Sequence, residues 1–180
     1  MKKYQKKIIT VFGNARVLPA SEEYETAYQL GCALAKNNFT ICNGGYGGIM
    51  EASAKGAKDN GGATIGVTVA TFSRAHNEFL DEVIVKNSLI ERMLKLVETG
   101  DAYIILPGGT GTLLEFATVW ELEHKKLMEE KPIILLGNFW NPIVQLFENE
   151  TGFFGEGKIT DYVLQHSSAN ECAKFLKEYF

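Results

Sequence analysis

Histidine and cysteine are scarce, at three each in 180 residues. His76, His124 and His166 are scattered, and Cys32, Cys42 and Cys172 are far apart, with neither an HExxH helix nor a CxxC pair. Those absences exclude the common zinc spacings, and no metal site is expected. An odd number of separated cysteines also makes a poor disulfide framework. They read as reduced, buried cysteines of a cytoplasmic protein. Long apolar runs are missing too. The basic start (Lys2, Lys3, Lys6, Lys7) leads only into Ile8 to Gly13, too short for a signal-peptide core, and no run approaches the length of a membrane span. Nor is there a strong excess of charge. A net charge of −4 gives no global pull toward nucleic acid or an anionic membrane. Two catalytic or nucleotide signatures are absent as well: the GxSxG elbow and the GxxxxGK[ST] phosphate loop.

Glycine is what the chain has in plenty, 18 residues of it, and much is clustered. The clusters fall at the ends of strands. "KIITVF" (Lys7 to Phe12), "FTIC" (Phe39 to Cys42), "ATIGVTV" (Ala63 to Val69), "AYIIL" (Ala102 to Leu106) and "PIILL" (Pro132 to Leu136) are apolar strand segments. "DEVIV" (Asp81 to Val85) reads as a short edge strand. Between them lie stretches of helical period. The first is capped by Ser21, and the second carries Met50, Ser53, Ala54 and Ala57. A third is capped by Asn87 or Ser88, with Leu89, Met93, Leu96 and Val97 inward, and a fourth runs from about Thr112 to Met128. Short helices near Pro142–Phe147 and Asn170–Tyr179 close the chain.

Continuous apolar strands alternating with amphipathic helices predict a parallel sheet covered on both faces. The expectation is one α/β, doubly wound, Rossmann-like domain over residues 1–180. Ligands of such folds sit beyond the C-terminal ends of the strands, where the strand order switches direction. "GNARVLP", "NGGYGGIM" and "PGGTGTLLE" all fall on that edge.

Glycines before a helix let the backbone approach a ligand, and the free N–H groups of the first turn attract an anion. Gly108, Gly109, Thr110, Gly111 and Thr112 therefore read as a phosphate cradle, with Gly45 in the second loop. Gly13, Asn14 and Arg16 of the first loop are further candidates. Asn77, in the polar stretch after the third strand, is a candidate for contact with a base. The dinucleotide fingerprint GxGxxG is incomplete in both glycine loops, because the third glycine is missing. Glu115 falls in the first turn after the cradle, and Arg92 one turn into a helix that starts on the same edge. The two can pair, or meet a ligand.

"PGGTGTLLE" fits the PGGxGTxxE signature of the LOG (lonely guy) family, and "GGYGGIMEA" resembles its GGxxGxM segment. "VFGNAR", "SLIERM" and "KPIILLGNFWNP" are similar to further family segments, so the resemblance runs from about Ile8 to Phe147. It implies a Rossmann-like homodimer that hydrolyses the N-glycosidic bond of a nucleoside 5′-monophosphate such as AMP. The products are free base and ribose 5-phosphate. It places the essential Arg on Arg92 and the essential Glu on Glu115. The phosphate falls on Gly108, Gly109, Gly111 and Thr112, with help from Gly45 and the first loop. No metal or redox cofactor is implied. The chain departs from the family in having Met93 after Arg92, Leu114 before Glu115, and Asn14 where Ser is common. Two other classes share the features: a non-catalytic carrier of a phosphate-bearing cofactor, like the related molybdenum-cofactor carriers, and a nucleotide sensor.

Overall fold

The computed structural model describes residues 6–149 and 159–180. Lys2 and Lys3 of the basic start lie outside the described residues. Seven strands form one wholly parallel sheet: β1 (Ile8–Phe12), β2 (Thr40–Asn43), β3 (Thr64–Val69), β4 (Glu82–Lys86), β5 (Ala102–Ile105), β6 (Ile133–Leu136) and β7 (Val163–His166). Their spatial order is β4-β3-β2-β1-β5-β6-β7. The chain winds outward from β1 to one side, then returns to pair β5 with β1, so the switch point lies between those two strands. This is an α/β, doubly wound, Rossmann-like fold.

Among the described residues, six α-helices cover the two faces: α1 (Glu22–Lys36), α2 (Ile49–Asp59), α3 (Leu89–Thr99), α4 (Thr110–His124), α5 (Asn141–Asn149) and α6 (Ala169–Tyr179). Alternate strand residues feed two cores. Ile9, Val11, Ile41 and Ile104 pack with α1, α2 and α6, while Phe12, Val67, Tyr103 and Ile105 pack with α3, α4 and Trp140. The hydroxyls of Ser21, Ser88 and Ser168 accept N–H groups of the first turns of α1, α3 and α6. The three cysteines are free and buried. No helix among the described residues is long and apolar enough to cross a membrane.

Several expectations needed correction. β7 was not anticipated: it is a four-residue edge strand, VLQH, only partly buried, so it lacks the continuous apolar run of the central strands. α4 starts two residues earlier than expected and stops at His124, four residues short of Met128. Lys126 turns the chain with a positive φ of 53°, and Leu127 N–H bonds back to the Leu122 carbonyl. A glycine would have announced such a turn; a lysine does not. Leu89 is not inward in the core but 46% exposed. Lys131, beyond the end of α4, donates to the Gly100 carbonyl at 2.7 Å.

The large apolar residues of α4, Phe116, Val119 and Trp120, are buried. Phe116 and Trp120 stack at 4.9 Å between centroids, and Phe116 meets Trp140 at 5.8 Å. Trp140 in turn donates Nε1–H to the Leu106 carbonyl at 3.0 Å, which fixes the end of β5. At the far end of α4, Glu123 is only 6% exposed. One of its carboxylate oxygens has no hydrogen-bond partner among the described residues. Burial pushes this carboxyl up to about 7.

Candidate functional site

A cavity of about 730 Å³ opens along the C-terminal edge of the sheet. Its walls come from the loops after β1, β2, β3 and β5, on both sides of the switch point. Of the residues singled out in the sequence, Gly13, Asn14, Arg16, Arg92, Gly109, Thr110, Gly111, Thr112 and Glu115 line it together. Gly45, Gly108 and Asn77 are not among the lining residues; they shape the loops that are.

The loop after β5 ends in the N-terminus of α4. Gly109 stands at the cap position with no side-chain hydrogen bond, and Leu113 N–H is the first to bond back, to the Gly109 carbonyl. The N–H groups of Thr110, Gly111 and Thr112 therefore precede the intrahelical ladder. They carry the positive end of the helix dipole into the cavity wall. A Cβ on Gly109 or Gly111 would meet nothing within 4 Å. On Gly108 it would run into the Thr112 side chain, at 2.6 Å from Cβ. Gly108 thus keeps Thr112 seated.

The loop after β2 is packed. Asn43 is fully buried; its amide donates to the Met50 carbonyl at 2.8 Å, and its Oδ1 accepts the Gly45 N–H at 2.8 Å. Gly45 has φ +79°, a conformation that favours glycine. Asn77 N–H donates to the Gly45 carbonyl at 2.9 Å, and its side-chain amide to the Tyr46 carbonyl at 2.9 Å. It clamps this loop rather than reaching the cavity. Asn14 works in the same way on its neighbour, since its Oδ1 accepts the Arg16 N–H at 2.9 Å and its carbonyl the Ile49 N–H at 3.0 Å.

Arg92 is 6% exposed, unlike a residue on a solvated helix face. Its Nε donates to the Val67 carbonyl at 2.8 Å, and its guanidinium lies 5.7 Å from the Tyr46 ring centre. Tyr46 is held in place because its hydroxyl accepts the Val69 N–H at 3.0 Å. Gly44 makes the room: a Cβ there would overlap Arg92 Nη2 and come within 2.6 Å of Met50 Sδ.

The remaining face of the guanidinium meets Glu115, Nη1 to Oε1 at 3.5 Å, with side-chain exposures of 8% and 13%. At that length this is an ion pair with little hydrogen-bond character. Burial pushes the Glu115 carboxyl up to about 7, against the downward pull of Arg92. A carboxylate tuned to neutral pH, beside a fixed cation in a cleft, has the properties of an acid–base or charge-stabilising group.

Sequence reasoning missed Gly44, Tyr46, Met50, Thr71, Phe72, Ser73, Arg74 and Leu89, all of which line the cavity. Gly44 and Tyr46 sat inside a motif read for its other glycines. Thr71 to Arg74 form no pattern in the polar stretch where Asn77 stands out. The two unusual neighbours of the pair differ in placement. Met93 is buried and takes a 3.2 Å contact from the Thr118 hydroxyl, whereas Leu114 is 41% exposed.

The cytokinin riboside 5′-monophosphate phosphoribohydrolase of Rhodococcoides fascians is 32% identical to this chain over 149 residues, covering 79% of this chain and 75% of that protein. The protein of the same name from Mycobacterium tuberculosis is 33% identical over 119 residues, 64% of this chain and 63% of the other. Among solved structures, the molybdenum cofactor binding protein of the phototrophic bacterium Rippkaea orientalis superposes with a TM-score of 0.79 at 28% identity, over 97% of this chain and 98% of that one. Residues 6–164 match the SLOG cluster4 family. The chain belongs to that LOG-like family, in agreement with its two glycine motifs.

Proposed function

We propose that this protein is a nucleoside 5′-monophosphate phosphoribohydrolase, cleaving the N-glycosidic bond to free base and ribose 5-phosphate. The observation that carries the reading is the buried Arg92–Glu115 pair on the same cavity as the uncapped start of α4. The 5′-phosphate would lie against the N–H groups of Thr110, Gly111 and Thr112 and the two threonine hydroxyls. Gly108 and Gly45 would act by shaping their loops, with Gly13, Asn14 and Arg16 flanking. That binding orients C1′ of the ribose toward Glu115.

Departure of the base leaves an oxocarbenium-like ribose, as in glycoside hydrolysis. An ionised Glu115 stabilises that cation and takes a proton from the water that adds its oxygen to C1′. The C1′–N bond breaks with its electron pair on the base nitrogen, and that nitrogen takes up the proton that the water gives to Glu115. Arg92 holds the carboxylate in place and limits how far its pKa rises. The relatives named as phosphoribohydrolases support this chemistry. The likeness to the Rippkaea orientalis protein favours one other reading, a carrier or sensor that holds a phosphate-bearing ligand in the same cradle without turning it over.

A homodimer is part of the proposal. α3 and α4 meet at Met93 and Thr118 and leave Ile90, Leu94 and Leu114 exposed, apolar surface of the kind a second copy covers. The function is tested by comparing AMP with adenosine. Release of adenine from AMP with poor release from adenosine is expected; equal turnover of the two would contradict the phosphate cradle.

A further inference from the structure

The cavity wall changes character with distance from α4. Near the helix start it is polar. The loops after β2 and β3 add aromatic surface, Tyr46 and Phe72, beside the polar Thr71, Ser73 and Arg74. In the strand order β5-β1-β2-β3, the loop after β3 lies three strand spacings, about 14 Å, from the loop after β5. Phe72 lines the cavity there and is 48% exposed. It is not simply a stray surface aromatic. Its ring rests against Tyr46, 5.7 Å between centroids and tilted by 44°, and the Tyr46 ring centre also lies 5.7 Å from the Arg92 guanidinium. Phe72 N–H bonds to the Val69 carbonyl at 3.2 Å, so the turn that presents the ring is itself anchored to the end of β3. Leu89, the first residue of α3, lines the same cavity and is 46% exposed. An aromatic ring and a leucine left half open inside a cleft make a slot for a flat, apolar-faced group.

We propose that Phe72 is a specificity-determining residue that stacks on the base of the bound nucleotide, with Leu89 completing the slot. This deepens the phosphoribohydrolase reading and rests on it. With the phosphate at the start of α4 and the ribose at Glu115, the base has to continue along the sheet edge toward β3, where Phe72 stands. Stacking selects for an extended aromatic face and not for a pattern of hydrogen bonds. A base lost from the ligand therefore removes the contribution of Phe72 entirely.

The test is binding of AMP and of ribose 5-phosphate, which lacks the base, to wild type, Phe72→Ala and Phe72→Trp, measured by rapid mixing before appreciable hydrolysis. Base–aromatic stacking is lost at about 1–3 kcal/mol on substitution by alanine, so AMP should bind Phe72→Ala about 5- to 150-fold more weakly. Ribose 5-phosphate should bind wild type and Phe72→Ala alike, and Phe72→Trp should restore AMP affinity. Unchanged AMP affinity in Phe72→Ala overturns the inference alone. So does an equal loss for ribose 5-phosphate, which would mark a damaged loop. Wild-type protein that binds neither compound overturns the phosphoribohydrolase reading and this inference with it.

Discussion

The two glycine loops look alike in sequence, "NGGYGGIM" and "PGGTGTLLE", but differ in what their glycines face. In the loop after β2, the space beside glycine is already taken by this chain: by Arg92 and Met50 at Gly44, and by Thr68 at Gly45, 2.8 Å from where a Cβ would stand. In the loop after β5, Gly109 and Gly111 have nothing within 4 Å. One loop uses glycine to bring an arginine in; the other leaves room that the chain does not fill. In the proposed reading, the first builds the Arg92–Glu115 pair and the second the anion seat.

The largest expected effect comes from the pair itself. Glu115→Gln keeps the shape and loses the charge, and turnover of AMP should fall by roughly 10²–10⁴-fold while AMP affinity changes little. Steady-state kinetics and calorimetry on one preparation check this. A Gln variant with full activity would reduce Glu115 to a helix-start residue. Next is Gly44→Ala. The new methyl displaces the Arg92 guanidinium, so turnover should fall by about 10²-fold, with overpacking costing about 1–3 kcal/mol in urea unfolding.

Gly109→Ala breaks the comparison from the other side. Its φ of −93° suits alanine and no atom of the chain is in the way, so stability should move by less than about 0.5 kcal/mol. The methyl does occupy ligand space, and AMP affinity should drop about 5- to 150-fold, the overpacking range applied to the complex. If Gly109→Ala unfolds the protein while Gly44→Ala is tolerated, the roles assigned to the loops are reversed.

The smallest effects are on pH and stability. Burial raises Glu115 to about 7, so the ionised fraction, and with it kcat, should climb as pH rises through about 7. An acidic limb centred near the ordinary glutamate value would contradict that tuning. Glu123 has a similarly raised value of about 7 against an ordinary 4.5. Its folded state therefore takes up a proton between those values, and stability falls as pH rises through that window. Glu123→Gln should be more stable than wild type at pH 8 by about 1–2 kcal/mol, and nearly equal to it at pH 4. AMP turnover should not change.

How much of this could be read from the sequence follows from the range of the forces involved. The central strands declared themselves because both faces are buried and most of their residues are apolar or β-branched. β7 did not, since an edge strand with Gln165 and His166 has no such run. The loop leading into α4 was legible through Gly108 to Thr112, because a glycine-rich turn before a helix is a local property of backbone and spacing, although the helix begins two residues earlier than its period suggests. The Arg92–Glu115 contact was anticipated only as two residues starting on one edge. The burial of Arg92 was not visible, because it depends on Gly44, the Val67 carbonyl and the Tyr46 ring, each from another element. Phe72 carried no signal at all: its position comes from a turn after β3 and a ring 26 residues away in the sequence, at Tyr46.

Incubation of the wild-type protein with AMP, with adenine and ribose 5-phosphate both quantified by chromatography, tests the central claim most directly. The two products should appear in equal amounts and in step with the loss of AMP. Tight AMP binding with no adenine released over many hours would contradict hydrolysis and leave the cavity as the seat of a carrier.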